Sequence, residues 1–237
     1  MTTAAEVAKV LDALFPPGVV VAVRDLRCQE EAHLWSEERD MVPTAGPKRR
    51  REFLAGRACA HEALRALGCD SGPIAIGPNR EPLWPPGSVG SISHGGAWAA
   101  AAVARAEDFS GIGVDIEPLE PPLEQGVERM VHTAAELQVE RTPHPLTPFA
   151  TKISFSAKES MVKCLFSATG RLVALTDIAV DLDLGGSRLA ADVHAVKRGG
   201  SPASTLPGAF DVADGHVFTA AWVGPELAAA VLGRPGW

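Results

Sequence analysis

Two short segments contain the residues of this chain best suited to chemistry. They read Gly-Val-Asp-Ile-Glu at 113–117 and Phe-Ser-Ala-Lys-Glu-Ser-Met-Val-Lys at 155–163. Their ionisable side chains are three carboxylates and two lysines, namely Asp115, Glu117, Lys158, Glu159 and Lys163. Carboxylate oxygens are the hard ligands that Mg²⁺ prefers, and Mg²⁺ often binds substrate phosphates at the same time. Together the segments indicate an enzyme that holds Mg²⁺ on a diphosphate.

The first segment has the pattern of a strand, in which successive side chains alternate between two faces. Asp115 and Glu117 then share a face with Gly111 and Gly113, while the intervening Ile and Val residues face a core. We expect the two glycines to leave room for a ligand and the two acids to converge on one cation. Taken alone, such an acidic pair is more often a solvated strand end.

The second segment lies in a predicted helix over 151–168. Glu159 and Lys163 are four residues apart and share a helix face, and Lys158 can reach the edge of the same pocket. A solvated Glu–Lys pair is the simpler interpretation of that spacing. The apolar residues around it indicate a mostly buried helix, whose charges need partners. A metal–diphosphate would supply them.

Upstream, a Ser-Ile-Ser-His sequence at 91–94 ends a strand in a glycine turn. Here His94 can donate to a phosphate. Arg49 and Arg57 lie about two turns apart on a predicted helix over 48–67, so both can grip a phosphate or stack on a purine. A solvated basic helix start explains the arginines equally well. The chain lacks a nucleophile elbow, a Walker lysine loop and a dinucleotide glycine motif.

Composition narrows the class of protein. The chain has 237 residues and a net charge of −7, which argues against non-specific nucleic-acid binding. Its four cysteines have neither zinc-site nor disulfide-framework spacing. The sequence shows no secretory leader pattern and no apolar run that could span a membrane. We therefore expect a cytoplasmic protein with reduced thiols and no membrane or nucleic-acid partner.

The remaining pattern predicts an α+β fold. We expect strands at 19–23, 90–93, 98–104, 112–117, 175–184, 188–196 and 217–223, and a further helix at 128–140. Short extended pieces are expected in the loop at 72–87. The proline-rich segment 118–122 is the best candidate for a boundary, so that each half contains one long helix followed by about three strands.

These motifs resemble the Sfp-type 4′-phosphopantetheinyl transferases, the class that serves polyketide and nonribosomal peptide biosynthesis. The similarity runs from about residue 47 to 184. It implies a pseudo-twofold monomer of two similar lobes, 1–118 and 119–237, with coenzyme A in the cleft between them. The resemblance assigns Mg²⁺ to Asp115, Glu117 and Glu159. It assigns coenzyme A to Arg49, Arg57, Arg80, Ser93, His94, Lys158 and Lys163, with the two lysines on the diphosphate.

The implied reaction moves 4′-phosphopantetheine from coenzyme A to a serine of an apo acyl or peptidyl carrier protein and releases adenosine 3′,5′-bisphosphate. Glu159 would accept the serine proton, directly or through a water, and Lys163 would stabilise the leaving phosphate oxygen. Val162 stands where the family often has an aromatic residue. Two other interpretations stay open: another Mg²⁺-dependent coenzyme A or nucleotide enzyme such as a diphosphate hydrolase, and a non-catalytic coenzyme A-binding domain.

Overall fold

The computed structural model describes residues 2–28, 34–42, 46–69, 72–123, 126–134, 136–138, 144–186, 188–193 and 205–232. Its helices are α1 Ala4–Leu14, α2 Ser36–Asp40, α3 Pro47–Ala66, α4 Glu128–Val131, α5 Ala150–Thr169 and α6 Pro225–Leu232. Its strands are β1 Val20–Asp25, β2 Ala75–Ile76, β3 Pro82–Leu83, β4 Ser88–Gly95, β5 Trp98–Arg105, β6 Gly111–Pro118, β7 Ile178–Asp183, β8 Arg188–Val193, β9 Thr205–Ala213 and β10 His216–Val223. Within these ranges no helix is long and apolar enough to cross a membrane.

The strands form two antiparallel sheets and one small hairpin. The first sheet has the order β1-β5-β4, and the second has the order β6-β10-β9-β8-β7. The hairpin pairs β2 with β3. Mixed helices and antiparallel sheets confirm the α+β class. The strand β6, which carries the acidic segment, pairs with β10 and so belongs to the second sheet.

Strand β5 is buried on both faces because its side chains are small. One face packs on α3 through Ala99, Ala101 and Val103. The other face joins the core beneath α1, β6 and β10. This two-sided burial explains why an alanine-rich segment forms a strand here: tertiary packing outweighs the helix propensity of alanine.

Helix α5 packs so closely on β6 that glycine is required at two positions of the strand. A Cβ atom on Gly113 would lie 1.8 Å from the carbonyl oxygen of Ser160, and one on Gly111 would lie 2.3 Å from that of Cys164. The expectation that these glycines leave room for a ligand is therefore wrong. They leave room for the backbone of α5, which brings the second segment against the first.

The two long helices and the strands around both motifs are confirmed, as are the short extended pieces at 72–87. The helix expected at 128–140 is wrong, because α4 ends at Val131 and only a 3₁₀ turn follows at Glu136–Gln138. Of that prediction, residues 135, 139 and 140 lie outside the described residues, as do 194–196 of the strand expected at 188–196. Residues 175–177 are a 3₁₀ turn rather than strand, and β9 was not predicted.

The helix at 128–140 fails because Glu136 has tertiary partners. Its carboxylate accepts hydrogen bonds from the backbone N–H groups of Thr133, at 2.6 Å, and Val180, at 2.8 Å. The Thr133 hydroxyl in turn accepts from the Glu136 N–H at 3.2 Å. This reciprocal pair is a capping arrangement that starts a new short helix instead of continuing the old one.

Candidate active site

The carboxylate of Asp115 is the centre of the hydrogen-bonded network. Its Oδ1 accepts from Ser93 Oγ at 2.9 Å and from Lys163 Nζ at 2.7 Å, and its Oδ2 accepts from Ser156 Oγ at 2.8 Å. These partners come from β4 and α5, on either side of β6. The structure therefore brings together two of the predicted segments and the predicted Ser93 around one buried carboxylate.

Lys163 is the cation of this network. Its ammonium group also donates to the Val114 carbonyl at 3.1 Å and to Ser93 Oγ at 3.2 Å, so all three of its N–H groups have acceptors. The Lys163 side chain is 30% exposed, whereas that of Asp115 is almost completely buried. Lys163 thus balances the charge of Asp115 and remains accessible to an anionic ligand.

Glu117 and Glu159 stand close enough to Asp115 to feel its charge. Burial, and then repulsion from Asp115, raises the pKa of Glu117 to about 7. Burial also raises the pKa of Glu159, with attraction to Lys163 opposing and repulsion from Asp115 adding to the shift. Burial disfavours the ionised forms of both carboxyls, and a divalent cation bound beside them would favour those forms.

The donor set suits Mg²⁺ in its chemistry, since all three groups supply hard oxygen ligands. Among the described residues, no group of three or more His, Cys, Asp or Glu side chains is close enough to enclose a metal ion. A Mg²⁺ site of this kind needs only one or two carboxylates, because waters and substrate phosphates complete the coordination.

His94 lies beside this network at the end of β4. Its Nε2 accepts from Arg49 Nη1 at 2.8 Å, and its Nδ1 lies 3.8 Å from a carboxylate oxygen of Glu52. Burial lowers the pKa of His94, and the charges of Arg49 and Lys163 lower it further against the opposing effect of Glu52. The imidazole is therefore held neutral between three charged side chains, with its proton on Nδ1.

Arg57 is buried with much of its hydrogen-bonding capacity unused. The guanidinium lies over the Phe53 ring at 5.0 Å and donates from Nη2 to the Ala75 carbonyl at 3.4 Å. Its Nε and Nη1 have no hydrogen-bond partner among the residues that the structure describes, although the residue is only 3% exposed. Burial lowers the pKa of Arg57 to about 10, and Glu38 opposes that shift. A buried guanidinium with unused N–H donors is a strong candidate to bind an anionic ligand.

Arg80 lies in the exposed turn of the β2–β3 hairpin, whose first residue is the Ala75 that Arg57 contacts. Its φ of 69° is in the left-handed region, and its N–H donates to the Gly77 carbonyl at 2.9 Å. No described contact joins Arg80 to the Asp115 network.

Lys158 has a different environment from Lys163. Its ammonium group donates to Glu136 Oε2 at 2.6 Å and to the Val131 carbonyl at 2.7 Å, and the side chain is 0% exposed. Burial lowers the pKa of Lys158, and the Glu136 carboxylate opposes that shift. The buried charge of Lys158 thus has a protein partner, so the argument that it requires a ligand does not hold for this lysine.

The sequence did not identify two further residues of the site, Ser156 and Thr219. Ser156 lies three residues before Glu159 and seven before Lys163, so a helical face shared with both was the available signal. Thr219 is directly opposite Asp115 in the β6–β10 ladder, and its hydroxyl donates to the Ser156 carbonyl at 2.9 Å. No local signal identifies Thr219, since its position depends on pairing between distant strands.

A buried carboxylate paired with an ammonium group, with two further carboxyls and a histidine beside it, is the arrangement expected of an enzyme that acts on a phosphorylated substrate. Comparison with known families makes the class specific. Residues 37–104 match the 4′-phosphopantetheinyl transferase N-terminal domain, and residues 111–204 match the 4′-phosphopantetheinyl transferase superfamily. The chain belongs to the 4′-phosphopantetheinyl transferase superfamily.

Individual relatives agree with the family models. The chain is 39% identical over 156 residues to the 4′-phosphopantetheinyl transferase Svp of Streptomyces mobaraensis, covering 64% of this chain and 63% of that protein. It is 35% identical over 196 residues to PptT of Mycobacterium tuberculosis, covering 78% and 83%. It is 29% identical over 222 residues to Npt of Nocardia iowensis, covering 89% and 98%. The resemblance to the 4′-phosphopantetheinyl transferases is confirmed.

Proposed function

We propose that this protein transfers the 4′-phosphopantetheine arm of coenzyme A to a serine hydroxyl of an apo acyl or peptidyl carrier protein, with Mg²⁺, and releases adenosine 3′,5′-bisphosphate. The observation that carries the proposal is the contact of Asp115 with Lys163 and Ser93, flanked by Glu117 and Glu159. The names of the relatives support the reaction type.

Asp115, Glu117 and Glu159 would hold the metal ion. When bound, Mg²⁺ would neutralise charge on the diphosphate and orient it for attack. The raised pKa values of Glu117 and Glu159 support this assignment, because a cation would offset the cost of burying the ionised carboxylates. Proton release from Glu117 would then accompany metal binding.

In the proposed reaction the serine oxygen forms a bond to phosphorus as the bond to the adenosine bisphosphate oxygen breaks. Glu159 would accept the serine proton, directly or through a water. Lys163 stabilises the charge that develops on the leaving oxygen. Its exposed edge and its position on Asp115 support that role.

The rest of coenzyme A would lie along the cationic residues. Ser93, His94 and Arg49 would contact phosphates, and Arg57 would use its unpaired N–H groups on the nucleotide end, with Arg80 near the 3′-phosphate. Contact of Lys158 with the diphosphate stays a prediction. It would require that ammonium group to exchange its bond to Glu136 for a phosphate oxygen.

We also propose that the chain is a monomer of two similar lobes, 1–118 and 119–237, related by a pseudo-twofold axis. Each half contains a 20-residue helix packed against an antiparallel sheet, which supports the proposal. Superposing the halves tests it, and long helices that diverge once the sheets are aligned would contradict it. Action in the cytoplasm, without membrane or nucleic-acid partners, fits the free thiols of the four cysteines.

The activity is tested by intact-mass analysis of an apo carrier protein incubated with this protein, coenzyme A and Mg²⁺, beside a chelator control. We expect a metal-dependent gain of one phosphopantetheine arm. Glu159→Ala should nearly abolish the gain and Lys163→Ala should lower it strongly, whereas Lys9→Ala, an exposed residue on α1, should not change it. Coenzyme A turnover without carrier modification would favour a diphosphate hydrolase, and coenzyme A binding alone would favour a binding domain.

A further inference from the structure

We infer that Ser156, supported by Thr219, is a positioning residue for the Asp115 carboxylate and sets the affinity of the acidic cluster for a divalent cation. The inference rests on the proposed function, because it concerns the cation that Asp115 would hold. It adds two residues from α5 and β10 to a cluster that the sequence had described as three carboxylates and two lysines.

The direction of the hydrogen bonds is set by the backbone. Both Ser156 and Thr219 are 0% exposed, so water does not compete for their hydroxyl groups. The Thr219 hydroxyl donates its single proton to the Ser156 carbonyl at 2.9 Å. The Oγ atoms of the two residues lie 3.0 Å apart, and Ser156 Oγ has the Asp115 carboxylate as its acceptor at 2.8 Å. Thr219 thereby orients Ser156, and Ser156 in turn orients Asp115.

The hydrogen bonds also show which oxygen of Asp115 remains available. A carboxylate offers about four acceptor positions. Ser93 and Lys163 occupy both positions on Oδ1, while Ser156 occupies one on Oδ2. A cation that binds without displacing Lys163 must therefore approach Oδ2, the atom whose orientation Ser156 fixes. Loss of the Ser156 hydroxyl would leave Oδ2 free to rotate away and would remove a donor that stabilises the ionised form.

A purely structural role for Ser156 makes a different prediction from a positioning role. Ser160 lies one turn further along α5, is also 0% exposed, and donates to the Ala157 carbonyl of its own helix at 2.7 Å. Ser160→Ala therefore removes the same buried hydroxyl from the same helix without touching Asp115. If only packing matters, Ser156→Ala and Ser160→Ala should affect cation binding equally.

The test is a titration of the metal-free, full-length protein with Mn²⁺, following free Mn²⁺ by electron paramagnetic resonance. We expect Ser156→Ala to weaken Mn²⁺ binding about tenfold, the lower end for loss of a residue that orients a metal ligand. Thr219→Val should weaken it about threefold, because one indirect neutral hydrogen bond is lost. Thr219→Ser, which keeps the hydroxyl, and Ser160→Ala should bind Mn²⁺ as the unmodified protein does.

Unchanged Mn²⁺ affinity in Ser156→Ala, or an equal loss in Ser160→Ala, would overturn the inference and leave the transfer reaction standing. If the unmodified protein binds no Mn²⁺, both the inference and the metal part of the proposed function fail, and the carrier assay separately decides the reaction. Should Ser156→Ala fail to fold, the pair Thr219→Val and Thr219→Ser decides, since equal affinities in that pair would also overturn the inference.

Discussion

The buried ion pair between Lys158 and Glu136 makes Lys158→Met the most informative stability variant. Removing one partner of a buried pair costs about 3–5 kcal/mol, because the other charge is left without its counterion. Glu136 keeps the backbone donors of Thr133 and Val180, so we expect a loss near the lower end, about 3 kcal/mol. At about 2–4 °C per kcal/mol for a chain of this length, the Tm should fall by about 6–12 °C.

The measurement is a calorimetric melt in chelator and without coenzyme A, so that ligand binding does not contribute. Lys9→Met is the matched control, because it removes the same group from an exposed position and should leave the Tm unchanged. The double variant Lys158→Met/Glu136→Gln should recover part of the lost stability, since it removes the isolated charge.

A cooperative melt of Lys158→Met within about 2 °C of the unmodified protein would refute this argument, because it corresponds to less than about 1 kcal/mol. A double variant no more stable than the single one would also count against it. Lys158 would then contribute little to the stability of the fold, and that result would support its predicted contact with the diphosphate.

Three further predictions concern other parts of the site. Gly113→Ala should cost more than about 3 kcal/mol or prevent folding, because its Cβ would lie 1.8 Å from the Ser160 carbonyl oxygen. Gly72→Ala should leave the stability unchanged, because no atom of the described residues lies within 4 Å of its Cβ position, and equal melting temperatures of the two variants by circular dichroism would contradict this prediction. Because the pKa of Glu117 rises from 4.5 to about 7 on folding, the stability of the metal-free protein should fall as the pH rises through that window. Glu117→Gln should flatten the dependence, and identical pH profiles of melting would show that another group is responsible. Arg57→Met should raise the KM for coenzyme A about tenfold with a smaller change in kcat, measured by initial rates of carrier modification, and an unchanged KM would exclude Arg57 from binding.

Local periodicity predicted the elements that carry the motifs, because β-branched residues alternate along the acidic strand and apolar residues recur at helical spacing around the lysines. It did not predict β9, where Pro207 and Gly208 interrupt the strand pattern. The failed helix after Glu128 has a different cause, since partners of Glu136 come from α5 and β7. Tertiary hydrogen bonds decided both the end of α4 and the environment of Lys158.

The sequence predicted only those parts of the candidate site in which residues share a face of one strand or one helix. The segments of Asp115 and Lys163 were expected to meet at one site, the structure shows a direct contact between the two side chains, and the roles assigned to them stay predictions. Thr219 could not be predicted, because its place opposite Asp115 depends on the register of β10 on β6. The purpose of Gly113 was mistaken for a similar reason, since the helix that fills its space lies elsewhere in the chain.

The pairing of β6 with β10 has a consequence for hybrid proteins made from two relatives. A crossover in the turn at 106–110, between the segments that the two family models match, would leave β6, α5 and β10 from one parent. Of the side chains that hydrogen-bond to Asp115, only Ser93 would come from the other parent, together with His94 and the arginines proposed to bind coenzyme A. A crossover after Pro118 would instead put a foreign α5 against Gly113, where backbone atoms are already in contact. The earlier junction should therefore yield active hybrids more often than the later one.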